Sequence, residues 1–289
     1  MEHLILDGKA LAAKIQSELK QKIDEHMAAG SRAPGLAVVQ VGENPASTVY
    51  VRNKQRACEK VGIKSFSYNL PDLPASEGMP ALLALIEELN ATPNIDGILC
   101  QLPLPDGYDE QLVIEHISPS KDVDGFHPLN QGNNLLGRPG YVPCTPYGIM
   151  MLLTAENISP EGKLAIIIGR SNIVGKPMGQ LLLQKNATVI QAHSKTKNLP
   201  DLCRLADIIV VAVGKASFLK ADWVKPGAVV IDVGINRLED GKLCGDVSSD
   251  IASVAGYYTP VPGGVGPMTV TALLHNTYTS YVRRLCLNQ

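Results

Sequence analysis

The segment Leu164-Ala-Ile-Ile-Ile-Gly169-Arg-Ser-Asn-Ile-Val-Gly175 decides the fold of the C-terminal half of this 289-residue chain. Its five leading apolar residues predict a strand that is covered on both faces, as in a parallel sheet. The strand runs directly into a glycine turn, and residues 174–184 then predict a helix. Free backbone N–H groups and the positive end of the helix dipole meet at such a turn, which favours a bound phosphate. The spacing departs from G-x-G-x-x-G, so a plain structural turn stays open.

The next predicted strand bears on the choice of cofactor. NAD sites usually place an acidic residue at the end of the second strand, where it binds the ribose 2′-hydroxyl. Here the chain reads Ala192-His193-Ser194-Lys195, without a carboxylate. Arg170 in the turn, together with Ser194 and Lys195, could instead hold a 2′-phosphate. The pattern favours NADP over NAD, with a solvated loop cation as the alternative for Arg170.

Outward from this segment, strands and helices alternate in both halves of the chain, which predicts an α/β fold with parallel sheets. The length is typical of two domains, and Thr145-Pro146 opens a helix that we place at their boundary. The predicted strands are 36–42, 65–70, 97–102, 164–169, 187–192, 208–213 and 228–233, and the predicted helices are 7–30, 46–60, 81–90, 145–153, 174–184, 199–206 and 269–285.

Composition excludes several classes of function. The formal net charge of −2 and the 4% aromatic content argue against a nucleic-acid or anionic-membrane surface as the main function. Six scattered cysteines without a C-x-x-C pair predict thiols rather than a disulfide scaffold, and the His and Cys spacing predicts no metal site. Without a signal peptide or membrane span in the sequence, we expect a cytoplasmic protein.

Four polar residues in the first half are candidates for catalysis. Tyr50 and Lys54 lie four residues apart in a predicted helix and can share one face, where a phenol and an ammonium can lower each other's pKa. Gln101 follows a buried strand at the edge where open α/β sheets bind ligands. Asp124, within Lys121-Asp-Val-Asp-Gly125, could accept hydrogen bonds from an amino-pyrimidine ring. Ordinary surface residues, a satisfied strand-end amide and an Asx turn are the respective alternatives.

A loop dense in proline and glycine, Pro260-Val-Pro-Gly-Gly-Val-Gly-Pro-Met-Thr269, precedes the last predicted helix. Its prolines make it stiff, and its glycines let the backbone approach a flat ligand closely. We therefore interpret it as part of a binding site rather than as a plain turn.

These motifs, in this order, resemble those of the bifunctional methylenetetrahydrofolate dehydrogenase/cyclohydrolases, in their compact bacterial form. The similarity covers essentially the whole chain, from Asp7-Gly8-Lys9 to the last helix. It implies a catalytic domain over residues 1–143, with 268–289 packing back on it, and a Rossmann-like NADP-binding domain over 144–267. It also implies a homodimer that pairs through the nucleotide-binding domain.

The resemblance assigns roles to individual residues. Lys54 becomes the general acid and base, Gln101 orients it, Tyr50 positions the substrate, and Asp124 anchors the pterin. The implied substrate contacts are Tyr50, Val51, Arg52, Asn53, Lys54, Gln101, Asp124, Pro262, Gly263, Gly264, Val265 and Gly266. The implied nucleotide contacts are Gly169, Arg170, Ser171, Ser194 and Ile235.

Three other readings compete with this one. Short-chain dehydrogenases also use Tyr-x-x-x-Lys, but their pair follows the nucleotide turn, whereas Tyr50 and Lys54 precede Gly169. A shikimate-type dehydrogenase shares the domain order but has no need of the 260–269 loop. A folate-binding protein without activity would have no need of Lys54, Tyr50 and Gln101 together.

The cation in the nucleotide turn gives a first prediction. Replacing Arg170 by Ala removes a charge-assisted contact to the 2′-phosphate, which costs about 1.5–3 kcal/mol, or roughly ten- to a hundred-fold in NADP affinity. Kinetics of Arg170→Ala with NADP and with NAD measure this loss, and the NAD constants serve as the control. An unchanged preference for NADP contradicts the assignment.

Overall fold

A computed structural model describes residues 4–287, and the chain divides into two compact units. The six-stranded unit comprises the residues up to Ala13, Asn134–Arg138 and Thr145–Thr269. The three-stranded unit comprises Lys14–Asn133, Pro139–Cys144 and the residues from Val270 onward. Elements are numbered here in chain order.

The six-stranded unit holds a parallel sheet with the strand order β1-β11-β8-β7-β5-β6. Its central strands are fully buried and β-branched, because helices or loops cover both faces of a parallel sheet. The strands are β1 (Leu4–Ile5), β5 (Leu164–Ile168), β6 (Thr188–Ala192), β7 (Ile208–Val211), β8 (Val229–Asp232) and β11 (Tyr257–Tyr258), with a separate antiparallel pair of β9 (Asn236–Arg237) and β10 (Leu243–Cys244). The helices include α6 (Cys144–Ala155), α7 (Gly175–Gln184) and α8 (Leu199–Leu205).

The first strand differs from the sequence-based domain assignment. Residues 1–143 were assigned to one domain, but β1 pairs in parallel with β11, so the described residues up to Ala13 belong to the six-stranded unit. A two-residue strand has too few positions for a periodic signal, and only its long-range pairing places it in this sheet.

The three-stranded unit is built around one central strand, β2, with the order β3-β2-β4 and parallel pairing throughout. Every residue of β2 is buried, because the sheet covers both of its edges and helices cover its faces. The strands are β2 (Gly35–Val41), β3 (Lys64–Leu70) and β4 (Gly97–Cys100). The helices that lie wholly or mostly in this unit are α1 (Gly8–Ala28), α2 (Pro45–Val61), α3 (Ala75–Ala91), α4 (Glu110–His116), α5 (Pro128–Leu135) and α9 (Val265–Leu287).

The predicted return of the last helix to the first domain is confirmed, and residues 270–287 of α9 belong to the three-stranded unit. Ser280 Oγ donates to the backbone oxygen of Asp96 (2.6 Å), which immediately precedes β4. The Tyr281 hydroxyl donates to the Arg32 carbonyl (2.7 Å), and the His26 and Tyr278 rings of α1 and α9 lie 5.9 Å apart.

The predicted α/β class is confirmed, and most predicted elements lie within a few residues of the observed ones. The exceptions are short. The helices α4 and α5 lie in a stretch where the sequence indicated none, and α4 is fixed by the Asp109 side chain, which caps it by accepting from Leu112 N. All six cysteines are free thiols. Over residues 4–287, none of the helices combines the length and the apolar character needed to cross a membrane.

Candidate active site

The two candidate residues at the edge of the three-stranded sheet are in direct contact. Lys54 extends from α2, and its Nζ donates to the side-chain oxygen of Gln101 at 3.0 Å. Gln101 directly follows β4, and its backbone N–H donates to Val39 of β2. The amide nitrogen of Gln101 donates to the Leu102 carbonyl at 2.6 Å, which leaves the amide oxygen directed at Lys54. The sheet therefore fixes the orientation of the glutamine, and the glutamine fixes the ammonium.

Two charged residues of the motif Lys121–Gly125 are buried and bound to backbone groups. Asp122 is buried and accepts from the backbone N–H groups of Phe126 (3.1 Å) and His127 (2.8 Å), and burial raises its pKa to about 6. Lys121 is buried as well and donates to two carbonyls near the end of α3, and burial lowers its pKa to about 8. These two residues hold the turn, which leaves Asp124 for another role.

Asp124 is half-buried. Burial raises its pKa, while the positive charge of Lys54 and a hydrogen bond with the Cys144 thiol oppose that effect. Gly125 follows with a φ of +77°, and an added Cβ there would lie 2.6 Å from Pro143 N. The close approach of the 142–144 segment therefore requires glycine at 125 and places Cys144 beside Asp124.

Tyr50 and its neighbours on α2 occupy different environments. The Tyr50 side chain is 39% exposed, and burial raises the pKa of its phenol, so the expectation of a lowered pKa is wrong. Val51 lies in the core, whereas Arg52 and Asn53 are exposed. The structure thus brings Lys54, Gln101 and Asp124 into one electrostatic cluster. Tyr50 lies one helical turn before Lys54, on the same face of α2, and is exposed.

Sequence reasoning missed Asn276, which holds the backbone around Asp124. Its buried side-chain amide donates to the carbonyls of Val123 (2.9 Å) and Val142 (3.0 Å). A signal was present, because Asn276, Ser280 and Arg284 recur every four residues and form a polar stripe along one face of α9. A polar stripe on a buried helix indicates buried hydrogen-bond partners.

The nucleotide turn of the six-stranded unit is as tight as the sequence predicts. Gly169 has a φ of +131°, and an added Cβ would lie 2.3 Å from the Ala212 oxygen. An added Cβ at Gly175 would lie 2.4 Å from the Gly169 oxygen. Ser171 Oγ accepts from the N–H groups of residues 174 and 175, both at 3.2 Å, at the start of α7. Side chains are thus excluded where a phosphate would approach the backbone.

The candidate 2′-phosphate residues lie on adjacent strand ends. Gly169 N donates to the Ala192 carbonyl, so the turn after β5 and the loop after β6 run side by side. Arg170, Ser194 and Lys195 are all exposed at this edge. Within residues 4–287, neither Arg170 nor Lys195 forms an ion pair. Exposed cations without carboxylate partners fit an anionic group, and the residues therefore suit NADP.

The loop from Pro260 packs backbone against backbone with the start of α1. Lys9 N donates to the Gly263 carbonyl at 2.9 Å, and an added Cβ at Gly8 would lie 1.8 Å from the Gly264 oxygen. Ile235 is 46% exposed, and its Cδ1 lies 3.9 Å from the position of an added Cβ at Gly266. A predicted nucleotide contact and a predicted substrate contact are therefore neighbours in this unit.

Comparison with known proteins gives a consistent result. The catalytic-domain model of the tetrahydrofolate dehydrogenase/cyclohydrolase family matches residues 6–124, and the NAD(P)-binding-domain model of that family matches residues 143–285. The bifunctional protein FolD of Halalkalibacterium halodurans is 56% identical over 278 residues, which cover 96% of this chain and 98% of that protein.

Two solved structures share the fold over nearly the full length. The bifunctional FolD methylenetetrahydrofolate dehydrogenase/cyclohydrolase from Campylobacter jejuni is 52% identical, with a TM-score of 0.94 and coverage of 98% of this chain and 99% of that one. The Trypanosoma brucei N5,N10-methylenetetrahydrofolate dehydrogenase-cyclohydrolase, complexed with NADP and an inhibitor, is 37% identical, with a TM-score of 0.93 and coverage of 99% of both chains.

The position of Asn276 gives a prediction with a matched control. Asn276→Ala removes the amide donor of the Val142 carbonyl and one of the two donors of the Val123 carbonyl, at a cost of about 1–3 kcal/mol, and releases the segment that carries Asp124. Ser280→Ala also removes a donor, a hydroxyl whose one hydrogen is shared between the carbonyls of Asp96 (2.6 Å) and Ser120 (3.0 Å), neither of them next to Asp124. We expect similar losses in the free energy of unfolding in urea, but a loss of activity only in Asn276→Ala at temperatures where both variants are folded. Equal activity losses contradict a role for Asn276 at Asp124.

Proposed function

The chain belongs to the tetrahydrofolate dehydrogenase/cyclohydrolase family, and we propose that Lys54, Gln101 and Asp124 are the residues that serve both reactions of that family. The enzyme oxidises 5,10-methylenetetrahydrofolate to 5,10-methenyltetrahydrofolate with NADP and then hydrolyses this product to 10-formyltetrahydrofolate. The observation that carries the residue assignment is the hydrogen bond from Lys54 Nζ to Gln101 at the carboxyl edge of the sheet. The family match favours this reading over a shikimate-type dehydrogenase.

For the dehydrogenase reaction the protein needs to bind and orient the folate and the cofactor, and it does not need a base. NADP, when bound, accepts the hydride that leaves the bridging methylene carbon. The two neighbouring nitrogens of the folate stabilise the cation that forms, so no proton needs to leave carbon. Asp124 accepts hydrogen bonds from the adjacent N–H donors of the amino-pyrimidine ring and thereby orients the folate. Tyr50, at the accessible side of the cluster, packs against the substrate.

The cyclohydrolase reaction requires proton transfers, which are assigned to Lys54. As the water oxygen bonds to the methenyl carbon, Lys54 Nζ takes one proton from the water. The resulting ammonium supplies a proton to the ring nitrogen as the C–N bond breaks. The hydroxyl proton leaves as the formyl carbonyl forms, which accounts for the one proton released overall. Gln101 keeps the Lys54 nitrogen in one orientation through these steps.

The cofactor site is proposed at the carboxyl edge of the six-stranded sheet. The Gly169–Ser171 turn and the start of α7 bind phosphate through backbone N–H groups. Arg170, with Ser194 and Lys195, binds the 2′-phosphate, which explains the preference for NADP. Ile235 contacts the cofactor, and Pro262–Gly266 stay predicted folate contacts.

We further propose that the protein is a homodimer and that it is located in the cytosol. All six cysteines are free thiols, as suits a reducing compartment. In the six-stranded unit, Leu135, Leu136 and Leu183 are exposed, and Gln184 of α7 donates to the Asn134 carbonyl beside them. We infer that these exposed leucines and the edge strand β6 receive a second copy of the chain, because exposed apolar side chains and an unpaired strand edge both favour association.

The dimer proposal predicts a solution mass. Sedimentation velocity at micromolar concentration should give twice the 30.9 kDa of one chain, and Leu183→Glu should shift the protein toward the monomer. Leu73→Glu, an exposed leucine of the other unit, is the control. A monomeric wild type contradicts the dimer, and a dimeric Leu183→Glu contradicts this face.

The proton-transfer role predicts that Lys54 divides the two activities. Lys54→Met keeps much of the side-chain length and removes the amine, so cyclohydrolase activity should fall by at least about a hundred-fold. Dehydrogenase activity should fall much less, and methenyltetrahydrofolate should accumulate. Lys60→Met, an exposed lysine of the same helix, should leave both activities intact. NADPH formation and methenyl disappearance are followed in one preparation, and a proportional loss of both rates would falsify the assignment.

A further inference from the structure

Two buried carboxylates of the six-stranded unit have no part in the reaction described above. Asp232 ends β8, and Asp246 follows β10 with 0% of its surface exposed. Within residues 4–287, neither forms an ion pair with a lysine, arginine or histidine. Both charges are instead compensated by N–H groups. A charge buried in this manner is costly unless its hydrogen-bond partners are fixed, so the partners indicate its role.

Asp246 binds two segments that lie at the ends of neighbouring strands. Its carboxylate accepts from three consecutive backbone N–H groups after β7, those of Val213 (2.7 Å), Gly214 (2.9 Å) and Lys215 (2.8 Å). It also accepts from the side-chain amide of Asn236 at 2.9 Å, one residue after Ile235. One side chain therefore sets the relative position of the segments that follow β7 and β8.

Asp232 in turn fixes Asp246. Its carboxylate accepts from the backbone N–H groups of Asp246 (2.8 Å), Val247 (3.0 Å) and Gly234 (3.0 Å). An added Cβ at Gly234 would lie 2.2 Å from Asp246 Oδ1, and one at Gly245 would lie 1.7 Å from Asp232 Oδ2. The two glycines leave the room that the two carboxylates fill, so the arrangement tolerates little displacement.

The peptide groups held by Asp246 present their other side toward the nucleotide turn. In a planar trans peptide the C=O points opposite to the N–H. The N–H of Val213 is bound by Asp246, and the Ala212 carbonyl of the same peptide lies 2.3 Å from the position of an added Cβ at Gly169. The carbonyls of Val213 and Gly214 likewise face away from Asp246. Such carbonyls accept hydrogen bonds from hydroxyl and carboxamide N–H groups, which the nicotinamide riboside half of NADP carries.

We propose that Asp246 is a positioning residue of the cofactor site, which fixes the carbonyl edge at 212–214 and the Ile235–Asn236 segment so that they receive the nicotinamide riboside half of NADP. The inference rests on the proposed function, because it presumes that NADP binds at this sheet edge. The adenosine half is left to the Gly169 turn, Arg170 and Ser194, none of which Asp246 contacts.

Binding of NADP and of its adenosine half separates the two parts of the site. In Asp246→Asn, an NH₂ group replaces one carboxylate oxygen, and each oxygen accepts two of the four hydrogen bonds. Calorimetric titration should show NADP affinity reduced at least about tenfold. Affinity for adenosine 2′,5′-bisphosphate should stay within about twofold of the wild type. Hydrogen exchange of the amides at 213–215 should become faster.

Two further variants guard against an effect of folding alone. Asp122→Asn alters a similarly buried carboxylate that accepts backbone N–H groups in the other unit, and it should not weaken NADP selectively. Asn236→Ala removes only the fourth hydrogen bond of Asp246 and should weaken NADP in the same direction by a few-fold, which tests the inference even if Asp246→Asn does not fold.

The outcomes distinguish this inference from the function itself. A wild type that does not bind NADP contradicts the proposed function. A wild type that binds NADP, with a folded Asp246→Asn that binds it equally well, contradicts only the role of Asp246. Equal weakening of NADP and of adenosine 2′,5′-bisphosphate shows a general structural role and overturns the proposal as well.

Discussion

The hydrogen bond between Lys54 Nζ and the Gln101 amide oxygen is the interaction on which the catalytic proposal depends. A lysine side chain has four rotatable bonds and loses considerable conformational entropy when it is held in one place. Gln101 supplies the acceptor because its own backbone is part of the ladder to β2, the central strand of the sheet. The position of the Lys54 nitrogen thus depends on the pairing of the central strand of its unit.

Buried acids organise the backbone in both units, whereas the cations proposed for binding are exposed. Asp122 accepts from N–H groups at 126 and 127, and Asp246 accepts from three N–H groups after β7. A carboxylate can accept several hydrogen bonds at once, so a single Asp side chain can fix the backbone of a whole loop. Arg170 and Lys195, by contrast, keep their donors available for a ligand.

The C-terminal helix joins segments of the three-stranded unit that are far apart in sequence. Asn276 joins the Val123 and Val142 carbonyls, and Ser280 joins those of Asp96 and Ser120. Each pair of carbonyls comes from segments far apart in sequence, so the helix joins segments that the chain alone does not keep together. The helix therefore contributes to the site through the backbone on either side of Asp124 and not through a group of its own that touches substrate.

The sequence by itself determined the α/β class, the order of the major strands and the glycine turn at Gly169. These features depend on local patterns, namely runs of apolar residues and glycines, which allow another backbone segment to approach closely. It also singled out Lys54, Gln101 and Asp124, although their spacing along the chain said nothing about contact. Only the tertiary structure decided that Lys54 meets Gln101, that Asp122 accepts the N–H groups of the turn, and that Asn276 and Asp246 hold their loops. These partners are brought together by sheet pairing and helix packing across long stretches of chain, so local sequence patterns do not identify which residues meet, even where a polar stripe such as Asn276, Ser280 and Arg284 marks a buried polar face.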